Sequence, residues 1–170
     1  MATLAFNKIK YHIMAQKITT FLTYNDQAEE AVEFYCSIFP DAKIVSKQYY
    51  SDSIPGLGGK LMSATFTLFD QTYYALNAGP HFQFTEAISL FISCEDQAEV
   101  DRYWIALTEG GKEDRCGWLK DKYGVSWQVI PKQLGMLLSH PDKAKASRAM
   151  QSMMGMRKID IAELERASEG

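Results

Sequence analysis

The chain has little of what several functional classes require. No run of Lys or Arg exceeds two residues and the formal net charge is −3, which leaves no electrostatic footprint for nucleic acid. No apolar stretch approaches the roughly 18 residues of a membrane span. Neither a G-x-S-x-G elbow nor a P-loop occurs. The one glycine-rich run, P-G-L-G-G at 55–59, lies between two strand-like segments and opens no helix, whereas a nucleotide loop leads from a strand into a helix. Histidine is scarce, at His12, His81 and His140. The three cysteines, Cys36, Cys94 and Cys116, are odd in number and widely spaced, with no C-x-x-C. That predicts reduced thiols in a cytoplasmic protein and not a disulfide framework. The first residues carry neither a clean signal peptide nor an Arg/Ser-rich transit pattern. Residues 1–13 read as an extension ahead of Met14, an alternative start.

What is present is apolar and repeated. About 46% of the 170 residues are apolar, with nine Phe, nine Tyr and three Trp, enough for a substantial core. Residues 21–29 read F-L-T-Y-N-D-Q-A-E and residues 91–99 read F-I-S-C-E-D-Q-A-E, five of nine identical at an offset of 70. Asp26 with Glu29, and Asp96 with Glu99, have the spacing of a capping box at a helix start. Helical stripes follow: Ala28, Ala31, Val32, Tyr35, Ile38 and Phe39 in one copy; Val100, Tyr103, Trp104 and Leu107 in the other. Short runs of β-branched and aromatic residues, 18–23 and 87–94, precede the caps and read as strands. These carboxylates are therefore helix-start devices and not catalytic acids.

More strands follow each helix. In the first half they cover 43–50, 62–69 and 71–77, the last two joined through a turn at Asp70-Gln71. In the second half they lie around Lys112–Cys116, Trp118–Lys122 and Ser126–Ile130, with a turn at Tyr123-Gly124. Each half is β-α-β-β-β, so the chain is predicted to be α+β, with two tandem modules at 14–78 and 79–131. Residues 132–170 form a tail of short helices, one opened by a third capping pair, Asp160 and Glu163. Met150, Met153, Met154 and Met156 in that tail read as adaptable packing or as a binding groove.

A duplicated βαβββ unit with this capped helix resembles the vicinal oxygen chelate superfamily of glyoxalases, bleomycin-resistance proteins and extradiol dioxygenases. The closest resemblance is to its PhnB-like branch, whose members are often labelled demethylubiquinone methyltransferase-like. The phrases that carry it are D-Q-A-E-E-A-V-E-F-Y (26–35), A-L-N-A-G-P-H-F (75–82), C-E-D-Q-A-E-V-D-R-Y-W (94–104), C-G-W-L-K-D-K-Y-G-V-S-W-Q-V-I-P (116–131) and M-G-M-R-K-I-D-I-A-E-L (154–164). The resemblance implies that the two sheets curl into troughs that face a shared hollow about one small molecule wide. Phe66, Phe69, Tyr73, Tyr74, Phe91, Trp118 and Trp127 are its expected aromatic lining, or core filling.

Metal-using relatives place four ligands on the first and last strands of each unit. Carried over with an error of one position, those places fall at Thr20 or Thr19, Asn77, Ser89 and Gln128. Only Gln128 is of an accepted type. Zn²⁺, Fe²⁺ and Ni²⁺ sites draw their affinity from imidazole, thiolate or carboxylate, so no metal and no cofactor is expected. His81 with Glu86 is a remaining candidate metal or acid–base pair, read against a plain surface histidine. Cys116, beside Arg115, reads as a buried thiol or as a reactive one. The methyltransferase label is doubted, because the chain lacks the sheet and glycine turn that seat S-adenosylmethionine.

Three functions follow. One is a metal-free small-molecule-binding protein, its ligand oriented by Thr20, Asn77, Ser89 and Gln128 and contacted by Cys116 and Trp118. The second is a lyase, isomerase or dioxygenase, metal-dependent or cofactor-free. The third is an interaction protein whose trough its own side chains fill. The open sheets imply a homodimer; neither nucleic acid nor membrane is an expected partner.

Overall fold

The computed structural model describes residues 16–170; the extension at 1–13 and the alternative start at Met14 lie outside them. The first module comprises β1 (Thr20–Tyr24), α1 (Ala28–Ile38), β2 (Lys43–Tyr49), β3 (Leu61–Leu68) and β4 (Gln71–Asn77). The second comprises β5 (Leu90–Cys94), α2 (Gln97–Thr108), β6 (Lys112–Glu113), β7 (Trp118–Lys120) and β8 (Ser126–Pro131). The tail is α3 (Lys132–Leu138), α4 (Lys143–Gly155) and α5 (Ile161–Glu169). Among the described residues, no helix is long and apolar enough to cross a membrane.

The two sheets have the same strand order, β1-β4-β3-β2 and β5-β8-β7-β6. In each, the first strand runs parallel to the last and the other neighbours are antiparallel. The register repeats as well: Phe21 pairs with Tyr74 as Phe91 pairs with Gln128. The fold is α+β with two tandem βαβββ modules, as the repeated phrase predicts.

Strand alternation decides what each face does. Leu22, Tyr24, Ala64, Phe66, Leu68, Tyr73 and Ala75 turn one face of the first sheet into the core; Ile92, Cys94, Leu119, Trp127 and Val129 do so in the second. The helices lie on these faces, burying Ala28, Ala31, Val32 and Tyr35 from α1 and Val100, Tyr103, Trp104 and Leu107 from α2. Both sets belong to one cluster. Phe39 stacks on Tyr103 and Trp127, with ring centroids 5.1 and 5.6 Å away, and Tyr35 meets Trp127 at 5.5 Å.

This packing corrects three expectations. First, the two modules do not enclose one open trough. Their helix-covered faces meet and aromatic rings fill the centre, leaving two smaller clefts lined by both modules: about 380 Å³ beside Phe69, Tyr73, Phe91 and Trp127, and about 420 Å³ beside Thr20, Phe21, Ser89 and Leu90. Phe66 is thus a core residue, while the buried Trp127 borders one of the clefts. Second, the β3–β4 turn is Phe69-Asp70, one residue earlier than Asp70-Gln71, with φ of 46° and 61°; a two-residue hairpin favours left-handed backbone at both positions. Third, Asp26 does not cap α1. The cap position is Gln27, whose side chain makes no capping bond, and Asn77 of β4 accepts from the Ala28 N–H at 2.8 Å. In α2 the expected box forms: Asp96 accepts from Glu99 N–H at 2.9 Å, and Glu99 reaches back to Glu95 N–H at 2.8 Å. Asp160 likewise caps α5 through Glu163 N–H at 2.8 Å.

The modules are also joined by a buried polar knot. Asp121, 3% exposed, accepts from Tyr35 Oη and Trp127 Nε1 at 2.8 Å, and from the Tyr123 and Val125 amides at 2.9 and 3.0 Å. Tyr24 Oη donates to Tyr35 Oη at 3.3 Å.

Among the described residues, the tail docks on the second module. Cys116 and Gly117 donate their backbone N–H groups to the carbonyls of Met156 and Arg157 at 2.9 and 2.7 Å. Gln97 of α2 grips the same segment, donating to Ile159 O at 3.0 Å and accepting from Ile161 N–H at 2.9 Å. Gly117 has φ +82°, and a Cβ there would stand 2.6 Å from Ile130 Cδ1 and 2.9 Å from Val129 O. Only glycine permits that approach.

Candidate ligand-binding face

The uncovered face of the second sheet brings several of the sequence-predicted residues together. Trp127 and Val129 point into the core, so Gln128 and Ile130 point the other way. Register places Gln128 between Phe91 on β5 and Trp118 on β7. Phe91 is 59% exposed. Gln128 Nε2 donates to Ser89 Oγ at 2.8 Å, and among the described residues the amide makes no other hydrogen bond. A glutamine amide has two N–H donors and a carbonyl acceptor. One donor and the acceptor are therefore left to meet a ligand, flanked by two aromatic rings.

Of the other predicted residues, Thr20 lines a cleft of about 420 Å³ together with Ser89, and Cys116 and Asn77 stand apart from it. Cys116 lies at the end of the same face, half-buried, its thiol donating to Met153 O at 3.6 Å. It has φ 58°, which glycine tolerates better. Thr20 shares strand parity with Leu22 and Tyr24, so its neighbour Thr19 is the one that shares parity with Phe21. Asn77 faces α1, with its amide divided between Ala28 N–H and Leu61 O at 2.8 and 3.0 Å. By register, the first-module counterpart of Gln128 is Tyr74, and the 70-residue offset makes Thr19 the counterpart of Ser89. Tyr74 meets Phe21 at 5.5 Å between ring centroids. Of the two alternatives the sequence offered, Thr20 or Thr19, the 70-residue offset selects Thr19, and register puts Tyr74 where the sequence reading had Asn77.

The positions that metal-using relatives fill are thus Thr19, Tyr74, Ser89 and Gln128, all neutral. Among the described residues no three His, Cys, Asp or Glu side chains group around a possible ion. This donor set does not fit a tightly held transition metal. His81 and Glu86 do not act together: Glu86 pairs with Lys120 at 2.5 Å, which holds its carboxyl below the ordinary range. Strong perturbations lie in the core. Burial pushes Asp121 and Tyr35 up and raises the Cys94 thiol to about 12. These three side chains point into the core and not onto the uncovered faces.

The comparisons agree with this architecture. The family model for 3-demethylubiquinone-9 3-methyltransferase matches residues 16–130. The chain belongs to the PhnB-like branch of the vicinal oxygen chelate superfamily. The PhnB protein of Bacillus cereus, described as a 3-demethylubiquinone-9 3-methyltransferase, is 40% identical with a TM-score of 0.64; the match covers 68% of this chain and 99% of that one. Protein PA1353 of Pseudomonas aeruginosa shares the fold at 21% identity and a TM-score of 0.58, over 67% and 96% of the two chains. No curated protein matches. The methyl transfer in the family's description finds no support in this PhnB-like chain. Both helices that follow a first strand start at N-D-Q or E-D-Q, and the only glycine-rich run joins β2 to β3. These residues do not fit a bound S-adenosylmethionine. The family match ends before α3, so the tail lies beyond it.

Proposed function

We propose that the protein binds a neutral small molecule on the uncovered face of the second module, without a catalytic metal ion, in the cytoplasm and as a homodimer. The observation that carries this reading is the Gln128 amide, held by Ser89, with unspent hydrogen-bonding capacity between Phe91 and Trp118. The ligand it suits has an aromatic or apolar body and one group that both donates and accepts, such as an amide, a lactam or a phenol. Thr20, Asn77 and Cys116 contribute to the surroundings and not to the anchor.

A second copy is the natural cover for what a single chain leaves open. Among the described residues, the outer edges of β1 and β5 carry no strand neighbour. Ile18 is 90% exposed and Ile88 78%, with Phe21 and Phe91 also exposed beside them. Unpaired strand edges bearing apolar side chains invite association. A partner covering them would also close the outward-facing troughs.

The test combines light scattering, elemental analysis and thermal-shift screening of neutral aromatic compounds. A dimer, less than about 0.1 metal per chain and a stabilising hit lost in Gln128→Ala support the reading. A monomer at micromolar concentration refutes the dimer, about one Zn, Fe or Ni per chain refutes the metal-free site, and hits untouched by Gln128→Ala refute the anchor.

A further inference from the structure

We infer that the C-terminal helices form an end wall on the second module's binding face, so that they limit how long a ligand anchored at Gln128 extends; this rests on the binding reading above. The wall is built from the sheet outward. Ile130 follows Gln128 by two residues on β8, on the same face, which is about 7 Å along the strand. Its side chain does not stay open. It packs against the tail's buried cluster of Leu134, Met156, Ile159 and Leu164, on which Leu137, Leu138 and Met153 also pack. Next to it, where the backbone turns left-handed just before β7, Cys116 points its thiol at Met153 O and gives its N–H to Met156 O. Gly117 lets the tail come this close, since a Cβ there would stand 3.2 Å from Ile159 Cγ1.

Among the described residues the first module shows no such wall. Register makes Leu76 the counterpart of Ile130: Thr23 pairs with Leu76 as Ser93 pairs with Ile130. Both are half-buried, but only Ile130 packs against the tail cluster. The two faces therefore differ at the same place: among the described residues the tail helices pack on one another and on the second module's side. The family model ends before the tail, so the wall is an addition outside the matched fold.

A ligand class follows: a molecule whose polar end pairs with Gln128 and whose apolar end stops at Ile130 and Met153. Short chains gain by filling the space to the wall, and long ones clash with it. The probes are 4-alkylphenols, neutral aromatics with a graded tail, titrated calorimetrically into the full chain. Affinity is expected to rise about three- to four-fold per methylene and then to break at one tail length. Met153→Ala and the milder Ile130→Val move that break to longer tails. Leu76→Ala leaves it in place. Gln128→Ala weakens the whole series without moving the break. A break that Met153→Ala and Ile130→Val do not move, or that Leu76→Ala moves equally, overturns the wall alone. Failure of every alkylphenol to bind the unmodified chain overturns the wall together with the binding reading.

Discussion

The two modules begin with nearly the same words and start their helices by different means. In the second, E-D-Q-A-E caps itself: Asp96 and Glu99 satisfy two amides within one turn. In the first, N-D-Q-A-E leaves the work to Asn77, 49 residues away on β4. One helix start is therefore a local device and survives wherever the segment is placed. The other exists only when β4 has paired with β1 and delivered Asn77 to the helix. Sequence identity in a motif fixes the opportunity for a cap; the tertiary neighbour that arrives first decides whether it is used.

The contrast extends to the hairpins. The β3–β4 turn stands in solvent at Phe69 and Asp70, whereas the β7–β8 connection wraps its amides around Asp121 and presents that carboxylate to Tyr35 of the other module. Asp121→Ala should then be the most damaging single change considered. It strands a tyrosine hydroxyl, an indole N–H and two amides in the core, at a cost of about 3–5 kcal/mol, measurable by urea unfolding. Tyr35→Phe removes one donor to Asp121 and the acceptor of the Tyr24 hydroxyl, and is expected to cost less than Asp121→Ala because the carboxylate keeps its other three partners. Equal costs for the two would show that Asp121 does not join the modules in the way described.

Asn77→Ala comes next. It removes the acceptor for Ala28 N–H and the donor to Leu61 O together, an expected loss of about 1–3 kcal/mol. The same assay sharpens the comparison directly: Asp96→Ala should cost about 1 kcal/mol, while Asp26→Ala should fall within about 0.5 kcal/mol of zero. Reversal of that order would mean that Asp26 caps α1 in solution.

These residues also mark how far the sequence is legible. The 70-residue repeat, the strand–cap–helix order and both helical stripes are written in local pattern, and Val100, Tyr103, Trp104 and Leu107 are all buried as their spacing predicts. Gln128 and Ser89 were reached through the resemblance to metal-using relatives, and strand parity agrees with placing them on one face. The role of Asn77 was not legible, since nothing near residue 77 announces a helix start at Ala28. Nor was the way the modules meet. Phe39, Tyr103 and Trp127 are equally suited to lining a hollow or filling one, and the choice depends on which faces the helices bring together. Asp121 fell within an expected strand, 118–122, with nothing to mark it, and only the arrival of Tyr35 turns it into a buried hub.

A further small effect concerns the tail, the largest difference between the modules. Lys158 pairs with Asp101 of α2 at 2.5 Å, and both side chains are about 40% exposed. Lys158 first, and Gln97 second, hold the Asp101 carboxyl below its ordinary value of 3.8. A carboxyl depressed in the folded chain stabilises it above that ordinary value, and the contribution disappears as pH falls from 3.8 through the lower folded value. Asp101→Asn should therefore cost under about 1 kcal/mol at pH near 7, a shift of about 2–4 °C at most for a chain of this size. The gap between variant and parent should close in acid, below the folded value. Gln97 and the Cys116–Met156 bond still hold the tail, so alkylphenol binding is expected to keep its length limit in Asp101→Asn. A length limit that vanishes with this ion pair would mean that the salt bridge, and not the packing of Ile130 on the tail's buried cluster, keeps the tail in place.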